Sequence, residues 1–336
     1  MKVLVTGAAG FVGSHLCEYL LDEGDRVVGL DSFTPYYPST MKRRNIAHLM
    51  NHPSFALVEE DLGRASLSSL LDDVDVVYHL AGQPGVRASW GREFGDYVKH
   101  NVEATQRLLE HARGVPLRKF VFASSSSVYG DAERYPTPED TPPQPISPYG
   151  VTKLAAEHLA ELYRYNFGVP TISLRLFTVY GPRQRPDMAF SRLIESALGG
   201  DPFHLHGDGQ QTRDFTFVGD VVRAMRDAAF SDWCGVANIG GGSRVSMSDV
   251  IREVASMCGP PALVHGPQQH GDVRHTAADI SVAARWFAYR PRTSINEGLR
   301  SMIEWERRAR VVVRPHEEDR SLRLVDLSHE GGRSGG

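Results

Sequence analysis

Thr6-Gly7-Ala8-Ala9-Gly10-Phe11-Val12-Gly13 follows a short apolar run, Lys2 to Thr6, and opens a helical pattern from Val12 to Leu21 that Gly24 ends. Glycine is needed where a backbone turns tightly and where it must approach a phosphate with no side chain in between. The start of the helix then offers unpaired N–H groups and the positive end of its dipole to that phosphate. Asp31 closes the next apolar run, Arg26 to Leu30, about twenty residues on, where a carboxylate would accept both ribose hydroxyls of a dinucleotide. A carboxylate there repels a 2′-phosphate, so the stretch predicts NAD rather than NADP. Gly7, Gly10, Phe11, Val12 and Gly13 would sit at the pyrophosphate, while Arg43 and Arg44 are the features that would favour NADP.

The same alternation continues outward from this turn. Strand candidates are Lys2 to Thr6, Arg26 to Leu30, Phe55 to Glu59, Val74 to Leu80, Lys119 to Ala123 and Thr171 to Leu176, with helices between them that include Tyr97 to Arg113, ended by Gly114. Near-continuous apolar strands without polar alternation are those buried on both faces, which predicts the α/β class, a Rossmann-like doubly wound parallel sheet covered by helices. Residues 1–176 form the expected NAD-binding domain, with a return segment near 214–237. Residues 177–309, where the alternation weakens, form a smaller C-terminal substrate-binding lobe, with helices at Asp220 to Ala229 and Ser246 to Met257. Charge, Gly and Ser from Arg310 to Gly336 predict a disordered tail. Asp61 and Leu62, just after the third strand, are expected at the adenine edge.

Composition narrows the function. A net charge of -4 gives no electrostatic footprint for nucleic acid. No apolar run approaches the ~20 residues of a membrane span, and the N-terminus enters a strand pattern without a signal sequence. The three cysteines, Cys17, Cys234 and Cys258, form no C-x-x-C pair, which fits a reducing cytoplasm. The 14 histidines form no metal-ligand motif, and His204 and His206 lack a third ligand, so no metal is expected.

Chemistry enters with Tyr149-Gly150-Val151-Thr152-Lys153. A phenol and an ammonium four residues apart share one helical face. A free phenol titrates near ~10, and bringing it to about neutral pH takes roughly 4 kcal/mol of differential stabilisation, part of which a nearby cation supplies. Six prolines from Pro136 to Pro148 stiffen the preceding loop. Ala123-Ser124-Ser125-Ser126-Ser127-Val128-Tyr129-Gly130 ends the fifth strand, at the carboxyl edge where doubly wound sheets bind ligands.

Together, the glycine turn, the serine run and Tyr-x-x-x-Lys resemble the extended short-chain dehydrogenase/reductase family, over nearly the whole chain except the tail. The resemblance implies that Tyr149 is a general base, that Lys153 lowers its pKa and holds the nicotinamide ribose, and that Ser125 orients a substrate hydroxyl. It also implies cofactor contacts from Leu80, Ala81, Gln83 and Ser124. Dehydratases of the family carry Asp-Glu where Ser126 and Ser127 stand, and decarboxylases carry Glu at Ser127, so oxidation and reduction at one carbon remain. The stretch Arg175-Leu176-Phe177-Thr178-Val179-Tyr180-Gly181-Pro182-Arg183-Gln184-Arg185-Pro186-Asp187-Met188-Ala189, with Leu80 to Trp90, is similar to the subgroup that epimerises UDP-glucuronic acid at C4. That similarity implies a UDP-sugar substrate, tightly bound NAD regenerated each cycle, and substrate contacts from Gly85, Arg87, Ser126, Ser127, Thr178, Arg185, Arg192, Arg213 and Arg274. An Arg beside a Thr would hold a sugar carboxylate by bidentate and single hydrogen bonds. It implies a homodimer through the helices near Asn101 to Arg113 and Tyr149 to Tyr165. Alternatives are a UDP-glucose 4-epimerase, a UDP-glucuronate decarboxylase, a 4,6-dehydratase, or a cofactor-sensing or RNA-binding relative that has lost catalysis.

Overall fold

The computed structural model describes residues 1–267 and 273–325. Six strands come first: β1 (Lys2–Thr6), β2 (Arg26–Leu30), β3 (Phe55–Val58), β4 (Val76–His79), β5 (Lys119–Ser125) and β6 (Thr171–Leu176). Then β7 (Thr178–Tyr180), β8 (Phe203–His206) and β9 (Thr212–Phe217) leave the sheet before β10 (Gly235–Ile239) returns to it. The last described strands are β11 (Arg244–Ser246) and β12 (Leu263–Gly266).

The main sheet has seven strands in the order β10-β6-β5-β4-β1-β2-β3, all paired in parallel. Its connections reverse direction between β1 and β4, and the loops leaving those two strands diverge into a crevice, which is where such sheets bind ligands. Both faces are covered, as the apolar runs require. Val3, Val5, Val76, Tyr78 and Val121 face the helices Phe11–Asp22 and Val218–Phe230 in one core, while Leu4, Val77, Phe120 and Phe122 face Ala104–Ala112 and Pro148–Phe167 in the other. Strand residues therefore alternate between two apolar layers rather than between core and water.

The lobe has its own core, in which Tyr180, Phe190, Leu193, Phe215, Val250, Leu299 and Met302 pack together. It is built on β11-β9-β7, on the β12-β8 pair, and on the helices Ala189–Ala197 and Met247–Cys258. Ser246 caps the latter, accepting from the Asp249 N–H at 3.0 Å.

One expected helix is present with a change of form, and one expectation differs from the structure. The segment expected as one helix from Tyr97 to Arg113 is α-helical over Phe94–Tyr97, π-helical over Val98–Glu103 and α-helical again over Ala104–Ala112. The expected disorder from Arg310 meets a helix running Ile295–Val325. The charged residues that argued against a core there are largely Arg and Glu, which form helices readily. Residues 326–336 of that tail lie outside the described residues. Among the described residues, no helix is long and apolar enough to cross a membrane, and no cluster of His, Cys, Asp or Glu could hold a metal ion.

Candidate active site

The crevice begins at the glycine turn. Gly7 has φ +73° and its amide donates to the Leu30 carbonyl at 2.8 Å, while a Cβ on Gly13 would collide with the Gly7 carbonyl oxygen. The backbone at the start of the helix Phe11–Asp22 is thus left bare, a cradle that fits a dinucleotide pyrophosphate. Gly7, Gly10, Phe11, Val12, Gly13, Asp31, Leu62, Leu80, Ala81 and Gln83 all line this cleft. The Asp31 carboxylate accepts from Ala9 N at 3.0 Å and Phe33 N at 2.8 Å, which fixes it at the end of β2. Arg43 is drawn away to Glu59 at 2.6 Å and Arg44 stacks on Trp305, so neither cation lines the cleft.

Two expected cofactor residues lie differently. Asp61 accepts from Gly63 N at 2.7 Å and pairs with Lys99 at 3.5 Å, outside the cleft that Glu60 and Leu62 line. The Ser124 hydroxyl turns into the interior and donates to Glu157 at 2.7 Å, because that buried carboxylate needs donors.

Ser147 and Pro148 start the reactive helix. The Ser147 hydroxyl accepts from Gly150 N at 3.1 Å, and Pro148 occupies the first turn, where its missing N–H costs nothing. This places Tyr149 and Lys153 one turn apart, in one cavity with Ser124, Ser125, Ser126, Ser127, Thr178 and Arg185. Lys153 is buried; its ammonium donates to the Ala123 carbonyl at 2.7 Å and lies 4.8 Å from the centre of the Phe122 ring. Burial pushes it down to about 8, opposed by Glu157 one turn further along. Burial likewise pushes the Tyr149 phenol up, while a hydrogen bond with Ser125 and the charge of Arg185 pull it down. Arg185 is thus a cation beside the phenol that the sequence did not single out for this role, while the Lys153 ammonium is directed at the Ala123 carbonyl.

Asn101 escaped the sequence reading as a site residue. In the π-helical turn it accepts from Gln83 N at 2.7 Å and donates to Gln83 O and to Thr152, pinning the cofactor loop to the Tyr-Lys helix. Such turns are frequent at functional sites. Its signal was a polar residue on the buried stripe of Tyr97, Asn101, Ala104, Thr105 and Leu108.

A second cleft of about 860 Å³ opens between the sheet and the lobe, of a size for a nucleotide-like ligand. Gly85, Arg87, Thr178, Arg185, Arg192, Arg213 and Arg274 all line it. Arg213 donates to the carbonyls of Thr212 and Arg274, and Arg274 meets Asp208 at 3.4 Å. Guanidinium groups gathered in one cleft suit a diphosphate. Arg185 itself is engaged, with Nε and Nη2 each 3.0 Å from an Asp187 oxygen. Tyr36 also donates to Asp187, at 3.3 Å. The Tyr36–Asp187 contact spans 151 residues and has no local sequence signal.

The model of the NAD dependent epimerase/dehydratase family matches residues 3–238. The chain is 46% identical over 309 residues to an uncharacterised UDP-glucose epimerase of Bacillus subtilis, covering 91% of this chain and 98% of that one. It is 35% identical to a probable UDP-glucuronate 4-epimerase of Rhizobium meliloti, covering 91% and 96%. Among solved structures, the UDP-glucuronic acid 4-epimerase of Bacillus cereus in complex with UDP-glucuronic acid and NAD superposes with a TM-score of 0.89 at 44% identity, covering 92% of this chain and 100% of that chain.

Proposed function

The chain belongs to the NAD dependent epimerase/dehydratase family, and from that premise we propose that it interconverts UDP-glucuronic acid and UDP-galacturonic acid by inverting C4, without loss of the carboxylate. The observation that carries this reading is one cavity holding Tyr149, Ser125 and Lys153 together with Thr178 and Arg185, while Ser126 and Ser127 stand where dehydration would need an acid and a base.

NAD, held by the glycine turn, Asp31 and Lys153, supplies when bound an oxidised nicotinamide that takes a hydride from C4 and gives it back. Tyr149, polarised by Ser125 and Arg185, takes the C4 hydroxyl proton and, once the keto sugar has turned over and the hydride returns to the opposite face of C4, gives the proton back to the C4 oxygen. Arg87, Arg192, Arg213 and Arg274 would hold the diphosphate while the 4-keto sugar turns over. That keto sugar is a β-keto acid, which loses carbon dioxide fastest when its C5–C6 bond stands perpendicular to the carbonyl plane. Arg185 and Thr178 are the residues placed to hold the carboxylate away from that geometry.

Purified protein incubated with UDP-glucuronate and no added NAD should yield UDP-galacturonate by NMR, with mass conserved. A UDP-pentose product, or turnover of UDP-glucose with none of UDP-glucuronate, overturns the reading. The second outcome is the reading favoured by Arg185 being already paired, since a neutral sugar would then leave no unmatched charge.

The finer assignments follow the same reading. Residues 177–309 mainly bind the UDP-sugar. Val151, Leu162 and Tyr165 leave an exposed apolar stripe on the helix Pro148–Phe167, with Tyr165 82% exposed, which suits a homodimer formed through that helix. Cys17, Cys234 and Cys258 are unpaired, which suits the cytoplasm.

A further inference from the structure

Among the described residues, Arg185 is the one cation that lines the cofactor cleft, the catalytic cavity and the substrate cleft together. Its guanidinium is held by Asp187 in a parallel, two-bond arrangement, Nε to Oδ1 and Nη2 to Oδ2, both at 3.0 Å. That is the geometry a sugar carboxylate would offer it. The two partners differ in how firmly they are held, since the Arg185 side chain is 17% exposed and that of Asp187 41%. Asp187 can swing into water at little solvation cost, whereas Arg185 stays in the site. Tyr36 adds a second tie, donating to Asp187 Oδ2 at 3.3 Å, with its ring centre 5.7 Å from the guanidinium carbon. Tyr36 belongs to the loop after β2 and lines both the cofactor and the substrate clefts.

We propose that Asp187 is an internal stand-in for the sugar carboxylate, occupying Arg185 until a carboxylated sugar displaces it and so setting the preference of the site for charged over neutral sugars. The inference rests on the proposed reaction, in which Arg185 takes the sugar carboxylate. A carboxylated sugar gains Arg185 only by breaking an existing pair, so the exchange yields less than a free guanidinium would. A neutral sugar meets an Arg185 that is already matched, and leaves no buried charge without a partner. Asp187 is thus a positioning residue that narrows the gap between the two sugars, and Tyr36 strengthens its hold.

The test compares wild type, Asp187→Asn and Tyr36→Phe. For each, KM and kcat are measured with UDP-glucuronate and UDP-glucose, and dissociation constants for both sugars and for UDP alone are measured by titration calorimetry. Asp187→Asn should lower the KM and dissociation constant of UDP-glucuronate roughly fivefold to tenfold, with UDP-glucose and UDP moving less than about twofold. Tyr36→Phe should move them the same way by a smaller factor, without removing any charge. Equal tightening of all three ligands would mean a general field effect and overturn the proposal. Weaker binding of UDP-glucuronate would overturn it as well, since Asp187 would then be holding Arg185 in its working position. If wild type fails to turn over UDP-glucuronate, the proposed reaction falls by itself, and the calorimetric comparison still reads the exchange at Arg185.

Discussion

Replacing Glu157 by Gln should cost this fold more than any loss of area would suggest. Glu157 and Arg175 are only 4% and 5% exposed in their side chains, and Arg175 reaches Glu157 through Nε at 3.1 and 3.2 Å and through Nη2 at 2.5 Å. Ser124 donates to the same carboxylate at 2.7 Å. Gln keeps the shape but removes the charge paired with a buried guanidinium, leaving it the Glu139 carbonyl at 3.1 Å, the face of the Tyr129 ring and the more distant charge of the Glu139 carboxylate. Removing one partner of a buried pair costs about 3–5 kcal/mol, because the remaining charge is uncompensated. At about 2 °C per kcal/mol for a chain of this size, Tm should fall by roughly 6–10 °C in differential scanning calorimetry. Glu157→Leu combined with Arg175→Met should recover most of that loss, since no charge is then orphaned. The change also reaches the reactive helix, because Glu157 is the charge that opposes the depression of Lys153. Its loss moves the Lys153 titration further below about 8, and the alkaline limb of the pH–rate profile with it. A Tm within 2 °C of wild type together with an unmoved alkaline limb would refute this account of the network.

Gly13→Ala brings a Cβ onto the Gly7 carbonyl oxygen, so the turn must open and purified protein should carry no nucleotide; a stoichiometric dinucleotide released on acid denaturation would refute the cradle. Arg185→Ala removes both the carboxylate restraint and a pull on the Tyr149 phenol, so a UDP-pentose should appear by NMR and the acid limb of the rate profile should move to higher pH; epimerisation with neither decarboxylation nor weaker binding would count against it. Lys153 is held at about 8 against an unfolded value near ~10.4, so the unfolded chain binds more protons between those values and stability rises with pH there. Urea titrations from pH 8 to 10 should show Lys153→Met lacking a rise of up to roughly 3 kcal/mol, and identical pH dependences in the two proteins would refute the depressed ammonium.

The fold was legible wherever local pattern and packing agree. The runs that became β1 to β6 are apolar because two helical layers cover them, as at Val3 and Val5 on one side and Leu4 on the other. The strand β10 carries no such pattern. Its Asn238 is buried to receive the Tyr129 hydroxyl and to donate to Thr137 O and Asp279 O, partners up to 109 residues away. Within the site, the glycine turn and the Tyr149–Lys153 pair could be read because their spacing is their geometry, and Ser125 through the family resemblance of the serine run. Ser124 could not, since the direction of its hydroxyl depends on Glu157 across the interior. Asn101 could be found only as a polar residue on a buried stripe, and the π-helical turn that aims it has no compositional mark.

Arg185 adds beside the base a cation that spacing alone does not reveal. Lys153 shares a helical face with Tyr149 and donates to the Ala123 carbonyl, and Arg185 lines the same cavity as a second cation, whose charge pulls the phenol down. The guanidinium that would hold the sugar carboxylate is thus also one of the groups setting the basicity of Tyr149. Were Arg185 bare before binding, an arriving carboxylate would cancel its charge and push the phenol up when a proton must be taken. With Asp187 already in place, one carboxylate replaces another and the field at the phenol changes little. An exchange of like charges at Arg185 therefore lets the site recognise a carboxylated sugar without depleting the phenolate that acts on it.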